Sequence, residues 1–499
     1  MNIKKMCAAT DRISQWRQID FRMAEKQVKK LQRRIARAYR LYELGKVAAL
    51  QERLIHSFSA KALAVKTVSS KRGAYTPGVD GVVWKTDEQK LQAVYSLRRR
   101  GYRPRPLRRV YIRKPGGGVR LLSIPAMKDR AMLTLYKFAL EPIAEISADP
   151  GSCGFRHGRS ARTAALRLMD GCAIDAECMW ILKVDVESCF DSIDHNWLLN
   201  HIPMDQKMLS KFLSCGYVDK RGKFSICRGI PQGSSLSSVL CNMTLDGLEG
   251  YLHEVCGENV LMLRYADDIA VASSLPCLLV QSVLPAMNSF LSERGLRLSQ
   301  KKTQLRQLES GITLLGFQIW AEGNAVYSVP CERNISSLRQ KVENLLAPLK
   351  MKPLEALSDS ELEYLWDMLN WIIRGWINYY RNIVSPCGLI PVQLEIAAAA
   401  VHAAGDMRVA GLIYRIFHRA EGMEVKNMEH ENIDFIESEL FNEIAQSFDE
   451  PCAIEYLGIA KNAIVDAKNT ETALPVFLTE KLSRAYALLD EAQEALYNN

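Results

Sequence analysis

The chain has 499 residues, 48% apolar and 24% charged, at a net charge of +9, a balance ordinary for a globular protein of two to four domains. No apolar run approaches the ~20 residues of a membrane span, Lys4 and Lys5 lead into no secretory signal, and 13 scattered cysteines without a C-x-x-C pair speak against a zinc site or disulfide framework and for reduced thiols in a cytoplasm. The charge is uneven: from Glu421 to Asn499 five Lys/Arg face seventeen Asp/Glu, a net of −12, which leaves +21 on residues 1–420 and asks for a polyanionic partner whose phosphates supply most of the affinity.

In chain order, the first sixty residues read as helix. Val28, Leu31, Ile35, Ala38 and Tyr42 recur at three- and four-residue spacing and form one buried stripe. Between them stand Lys26, Lys29, Lys30, Arg33, Arg34, Arg37 and Arg40, with Glu25 as the one nearby acid. Such a row is either a solvated helix face or a surface for RNA, and its one-sided charge favours RNA. A Pro-Gly turn follows at Thr76–Gly81. Residues 100–330 alternate strand-like runs (Val110–Ile112, Trp180–Val184, Leu261–Arg264, Ile269–Ala272) with helical ones (Met127–Phe138, Ser237–Leu252, Leu279–Glu293). Residues 358–383 read as helix again, with Ser358 as N-cap ahead of Glu361. Ser385–Gly388, with Pro391 close behind, reads as a linker. Ala- and Glu-rich segments without strand signal then predict a helical, acidic C-terminal domain.

Two carboxylate clusters lie at strand ends. Tyr265-Ala266-Asp267-Asp268 sits between Leu261–Leu263 and Ile269–Ala272, so the spacing predicts a β-hairpin with acids at its tip. Adjacent like charges are unfavourable unless a cation sits there; a plain polar turn would look the same in isolation. Leu182-Lys183-Val184-Asp185 is a second apolar strand that delivers an acid at its end. Together the two clusters can clamp two divalent ions about 3.5–4 Å apart, the arrangement that activates a hydroxyl and stabilises a leaving phosphate. Oxygen ligands suit Mg²⁺, with Mn²⁺ as the alternative. Asp191 and Asp194 are rival ligands, six and nine residues past Asp185, and read as structural.

These segments resemble motifs A and C of reverse transcriptases, and further blocks follow in the same order. Arg108–Arg120, with Lys114-Pro115-Gly116-Gly117-Gly118 at its centre, resembles the fingers hairpin. Gly154–Ser160 is similar to the next block, Gly229–Ser237 to motif B, Gln300–Thr303 to motif D and Leu315-Gly316-Phe317 to the primer grip. Within that family the chain resembles the group II intron-type enzymes: the basic N-terminal helices, the Thr76–Gly81 turn and Leu369–Arg381, which looks like their thumb or maturase helix, carry the likeness over roughly residues 15–383. The resemblance implies an α+β right-hand polymerase with a helical N-terminal extension (1–98), fingers and palm (99–330), a helical thumb (331–384) and an all-helical C-terminal domain (385–499). It implies Asp185, Asp267 and Asp268 as catalytic metal ligands, with Val186 as a further ligand. It implies Lys114, Arg120, Phe190, Gln232 and Lys302 for nucleotide binding, with Lys302 a proton donor to pyrophosphate. Template and primer would meet Arg156, Tyr265, Leu315, Gly316, Phe317, Arg374, Tyr379 and Tyr380. Phe190, five residues after Asp185, would clash with a ribose 2′-hydroxyl and select deoxynucleotides; by itself the ring could be core. Ser234 and Ser238 depart from the usual Gly and Pro and touch only the loop geometry.

Mobile intron proteins of this type follow the thumb with a basic DNA-binding segment, and here the sequence after Gly388 turns acidic. That plan resembles the bacterial defence-associated reverse transcriptases, and the resemblance implies RNA-templated DNA synthesis on a dedicated, structured non-coding RNA in antiphage defence, with deoxynucleotides as substrates and DNA as product. A splicing maturase without endonuclease and a catalytically inactive RNA-binding scaffold are the alternatives, and the intact acids speak against the last. The acidic domain would drive self-association. Tyr497, on the exposed end of a Leu/Ala-striped helix, offers a hydroxyl for protein priming or, more plainly, caps that stripe.

Overall fold

The structure is a computed structural model that describes residues 15–113, 119–384, 386–405 and 408–421. Lys114, the acidic segment from 422 onward and Tyr497 lie outside the described residues. The chain divides into two compact units. The first holds the described residues up to Ala164 together with Trp180–Leu305, and the second holds Ala165–Met179 together with the described residues from Arg306 onward.

The first unit begins with three helices, Phe21–Arg40, Leu44–His56 and Phe58–Ser69. Asp20 caps the first by accepting from Met23 N–H at 2.9 Å, which satisfies one of the donors a helix start leaves open. Ala24, Val28, Ile35 and Ala38 turn inward onto the main core, and Leu31 packs half-buried against it. The predicted stripe fails at its last member. The helix ends at Arg40, and Tyr42 enters the left-handed region at φ 57° and is exposed. The three helices rest on the helix Met127–Ile146, where Gln32 donates to Phe138 O and the buried Gln51 to Ala139 O and Pro203 O. Arg130 of that helix donates to Gly73 O, Thr76 O and Pro125 O at 2.5–2.9 Å and so pins the Thr76–Gly81 turn. Gly78 is required in that turn, because a Cβ there would lie 2.6 Å from Ala126 Cα.

Strands β1 (Leu107–Arg113) and β2 (Val119–Ile124) form an antiparallel hairpin. A second hairpin, β4 (Tyr217–Asp219) and β5 (Gly222–Phe224), extends the same sheet by parallel pairing of β4 with β1. Side chains reinforce that junction: Tyr111 donates to Asp219 at 2.7 Å and the Arg109 guanidinium stacks 3.6 Å above the Tyr217 ring. The other sheet of this unit is built on β3 (Trp180–Asp185), β6 (Leu261–Tyr265) and β7 (Asp268–Ser273), with β7 between the other two and antiparallel to both. Its strand β7 is buried from Ile269 to Ser273, as expected of a strand covered on both faces.

The predicted helix Ser237–Leu252 is two helices, Ser237–Leu245 and Leu248–Cys256. The break falls at Asp246-Gly247, where Gly247 takes φ 89° and Asp246 turns inward to bind two buried arginines. The charge demand of the core overrides helical periodicity at that point.

β8 (Gln304–Gln307) carries the chain into the second unit. There β9 (Ile312–Leu314), β10 (Phe317–Glu322) and β11 (Ala325–Pro330) form an antiparallel sheet with β10 central. Four helices follow: Glu332–Leu346, Asp359–Tyr380, Pro386–Ala404 and Arg408–Glu421. The Glu361 carboxylate accepts from Ser358 N–H at 2.9 Å, so the cap read from the sequence is in place. The residues expected as a linker begin a helix instead. Pro386 occupies its first position, where a missing N–H costs nothing. Val392, Ile396 and Ala400 then bury against a core shared with Leu338, Leu369 and Ile413, and that burial outweighs the one backbone bond forfeited at Pro391. Among the described residues no helix is long and apolar enough to cross a membrane.

Candidate active site

The register of the first unit's central sheet brings the acids together. Asp185 ends β3 and lies directly opposite Asp268, the first residue of β7, while Tyr265 ends β6 opposite the same Asp268. Ala266 and Asp267 form the two-residue turn between them, and Ala266 adopts φ 58°, the left-handed conformation that tight hairpins need. Burial is the main cause that holds the Asp268 carboxyl above its usual range; the neighbouring Asp267 and Asp185 charges add to it and Lys183 opposes. An electronegative cluster of this kind is stabilised by any cation that enters it.

One cation of the protein already does. Lys302 Nζ donates to Asp185 Oδ2 at 2.8 Å, and that bond chiefly raises the Lys302 pKa. The backbone aims it: Ser299 N–H donates to Asp185 O and Glu187 N–H to Arg297 O, both at 2.8 Å, on either side of a bridge between Val186 and Leu298. That ladder uses the carbonyl of Asp185 and not that of Val186. Among the described residues no three His, Cys, Asp or Glu side chains form a ready-made metal cage. Magnesium is usually held by one or two carboxylates plus waters and substrate phosphates, so the all-oxygen donors Asp185, Asp267 and Asp268 fit it without such a cage.

A buried charge network supports the hairpin from behind. Arg264 of β6 is fully buried and donates to Asp246 Oδ1 at 2.5 Å and Asn242 Oδ1 at 3.3 Å, with Asp149 at 3.8 Å. Its backbone bonds Gly151 and Cys153 in a parallel bridge. Gly154 has no room for a side chain, because a Cβ would lie 2.3 Å from Ala266 N. This block overturns one expected contact. Arg156 is buried, and it donates to Ala144 O at 2.7 Å and pairs with Asp246, so it cannot reach a template. The ring that does reach the surface is its neighbour Phe155, exposed at φ 56° and 6.4 Å from the Tyr265 ring. Nothing in the sequence marks which of the two residues is exposed.

The nucleotide-binding residues divide. The Gly229–Ser237 loop is tied to β2 by Ser123 N–H, which donates to Gln232 O at 3.0 Å, and the Gln232 amide makes a long 3.5 Å contact to Asp191. Phe190 sits half-buried beside it. Asp191 is held above the ordinary carboxylate range by burial and faces Gln232. The β2 backbone carries Arg120 opposite Ile112, and its side chain lies outside the described residues, as does all of Lys114. Ser234 keeps negative φ and accepts from Leu236 N–H at 3.3 Å, so serine costs nothing where the family has glycine.

In the second unit Leu315 and Gly316 form a tight turn at φ 49° and 85°. Tyr379 donates to Leu315 O at 2.7 Å, Tyr380 to Gly316 O at 3.1 Å, and Asn334 to the Tyr380 hydroxyl at 2.7 Å. Phe317 stacks on Tyr379 at 5.5 Å. Phe317 and Tyr380 are buried, which corrects their expected contact with nucleic acid: they hold the turn. Arg374, Tyr379 and Trp371 stay exposed and, with Asn334, Ser337 and Lys341, line a cavity of about 1130 Å³ between helices Glu332–Leu346 and Asp359–Tyr380.

Comparison with known proteins agrees with this chemistry. Residues 112–319 match the family described as reverse transcriptase (RNA-dependent DNA polymerase), and residues 16–97 match the N-terminal domain of reverse transcriptase. Protein YkfC of Escherichia coli K12 is 29% identical over 56% of this chain and 87% of its own. Group II intron-encoded protein LtrA of Lactococcus lactis is 33% identical over 41% of this chain and 34% of its own. A 91 kDa protein in the cob intron of Schizosaccharomyces pombe is 24% identical over 64% of this chain, which spans about half of that relative (49%).

Proposed function

Because the chain is a reverse transcriptase of the group II intron type with an α+β polymerase fold, we propose that it copies an RNA template into DNA from deoxynucleotides at Asp185, Asp267 and Asp268 with Mg²⁺ bound. The observation that carries this reading is the register of Asp185 against Asp268 at the mouth of the Ala266-Asp267 turn. Bound there, a pair of divalent ions supplies activation of the primer hydroxyl and stabilisation of the leaving pyrophosphate. The chain's own groups do the rest. Lys302, bonded to Asp185, is in reach to give a proton to pyrophosphate. Gln232 and Phe190 bound the nucleotide, and Arg374, Tyr379 and Trp371 offer charge and stacking to a template–primer duplex. Extension of a primer on an RNA template with Mg²⁺ and deoxynucleotides is the direct test, and a folded protein that adds no nucleotide would sink the reading.

The ring of Phe190 follows Asp185 by five residues on a half-buried turn, where removal opens space without touching an acid. Phe190→Ala is expected to admit ribonucleotides while deoxynucleotides still react, raising relative ribonucleotide use by roughly tenfold or more. Single-nucleotide kinetics with each sugar read this directly; unchanged discrimination would move the gate to another residue.

RNA binding would extend along helix Phe21–Arg40. Lys26, Lys29, Lys30, Arg33, Arg34, Arg37 and Arg40 are all exposed, and none of them has an ion-pair partner among the described residues. Every phosphate that the helix ceases to neutralise should flatten the salt dependence by about 0.7–0.9 log–log units. Changing Arg33, Arg34 and Arg37 to Glu should therefore weaken RNA binding and lower that slope by roughly two units. A slope equal to the wild type's would make the face merely solvated.

The setting we favour is antiphage defence with a dedicated structured RNA, supported by the −12 charge of residues 421–499, which would repel rather than grip nucleic acid. Sequencing the nucleic acid that co-purifies decides it: one short RNA and its DNA copy support defence, and intron RNA supports a splicing role.

A further inference from the structure

Between Asp185 and the Gly229–Ser237 loop the chain is closed by a backbone seam that holds Phe190. Ile230 N–H donates to Phe190 O at 2.6 Å and Gly229 N–H to Ile193 O at 2.7 Å. From the far side His195 Nε2 lies 2.7 Å from Gly229 O and is the donor, since a carbonyl only accepts. Within the turn, Asp191 N–H returns to Ser188 O at 2.8 Å, and Ser188 enters the turn in the left-handed region at φ 47°.

Gly229 makes the seam possible. It adopts φ 81°, and a Cβ on it would lie 2.5 Å from the carbonyl carbon and oxygen of Asp191 and 2.7 Å from its Cα. The obstacle is backbone, which cannot swing aside as a side-chain tip can. Restoring ordinary contact would move the residue next to Phe190 by about 1 Å, enough to spoil a fit that depends on position.

We propose that Gly229 is a positioning residue for sugar selection: its missing side chain lets Ile230 bond the Phe190 carbonyl and so sets where the Phe190 ring stands against an incoming ribose. The inference rests on the reading of Phe190 as the gate. Gly229 acts through the backbone of residues 190–193, with His195 as its outer support.

The test is the ratio of kcat/KM for deoxynucleotide over ribonucleotide, measured on the full chain for the wild type, Phe190→Ala, Gly229→Ala, His195→Ala and the double variant Phe190→Ala with Gly229→Ala. His195→Ala removes the support without adding an atom, so it decides the matter should Gly229→Ala fail to fold. Phe190→Ala is expected to lose most of the discrimination. Gly229→Ala and His195→Ala should lower the ratio by roughly tenfold, the scale of a one-methylene misfit. The double variant should match Phe190→Ala alone, because the two changes act through one ring. A wild-type ratio in both Gly229→Ala and His195→Ala, whatever their absolute rates, overturns the proposal while leaving the gate intact; so does a double variant that loses discrimination beyond Phe190→Ala. A wild-type ratio in Phe190→Ala itself removes the gate, and the proposal with it.

Discussion

Replacing Asp267 and Asp268 together by Ala is expected to abolish DNA synthesis and to leave the protein at least as stable as the wild type. The two effects have one cause. Asp268 is half-buried opposite Asp185 and beside Asp267, and burial with those like charges holds its carboxyl up. Lys183 and Lys302 offset only part of that cost, so the cluster favours a further cation, and alanine relieves the repulsion. Their loss removes the means of holding charge at the reacting phosphate. Several kcal/mol of transition-state stabilisation corresponds to a rate loss of about a thousandfold or more. Primer extension and thermal melting on the same preparation read both halves. Activity within tenfold of the wild type would refute the site, and a large drop in melting temperature would make the acids structural.

The parts of this architecture visible in the sequence are those set by local pattern. Leu182–Asp185 and Leu261–Ala272 are apolar runs that deliver acids at their ends, and β3, β6 and β7 form there. Ser358 and Glu361 announce the helix Asp359–Tyr380 by the chemistry of the cap alone. What the sequence hides is set by partners far along the chain. Asp246 breaks a helical pattern because Arg264 and Arg156 need its charge, and neither arginine carries a mark of burial in its own segment. Pro386 and Pro391 read as a linker until the apolar face of Val392, Ile396 and Ala400 finds its core. The hairpin β4–β5 has strands of three residues each, too short for any alternation to register. The motifs that Phe317 and Tyr380 occupy point to nucleic acid, and only burial reveals that Tyr380 braces Gly316 while Phe317 packs on Tyr379 and Tyr380.

Arg264 is where the hidden part bears most on the site, since it lies one residue from Tyr265 and three from Asp267. Its guanidinium is fully buried among Asp246, Asp149 and Asn242. Burial is the largest influence on both carboxyls and raises them above their usual range, while Arg264 is the largest opposing one. Arg264→Met keeps the volume, leaves Asp149 without a guanidinium and leaves Asp246 with Arg156 alone, a change that costs about 3–5 kcal/mol for a buried pair and lowers the melting temperature by roughly 5 °C at this size. The pH dependence follows from the direction of the shifts. A carboxyl whose folded pKa lies above its unfolded value of about 3.9 binds more protons in the folded state, so stability falls as pH rises through that window. Without Arg264 the folded values rise further and the fall steepens. The penalty of Arg264→Met should therefore be largest at neutral and alkaline pH and shrink on acidification, and adding Asp149→Asn, which keeps an acceptor for Gly247 N–H, should recover part of it at pH 7. Melting curves across that range distinguish charge from packing: a deficit that is the same at both ends of the range would mean that Arg264 fills space beneath the hairpin and that its ion pairs contribute nothing.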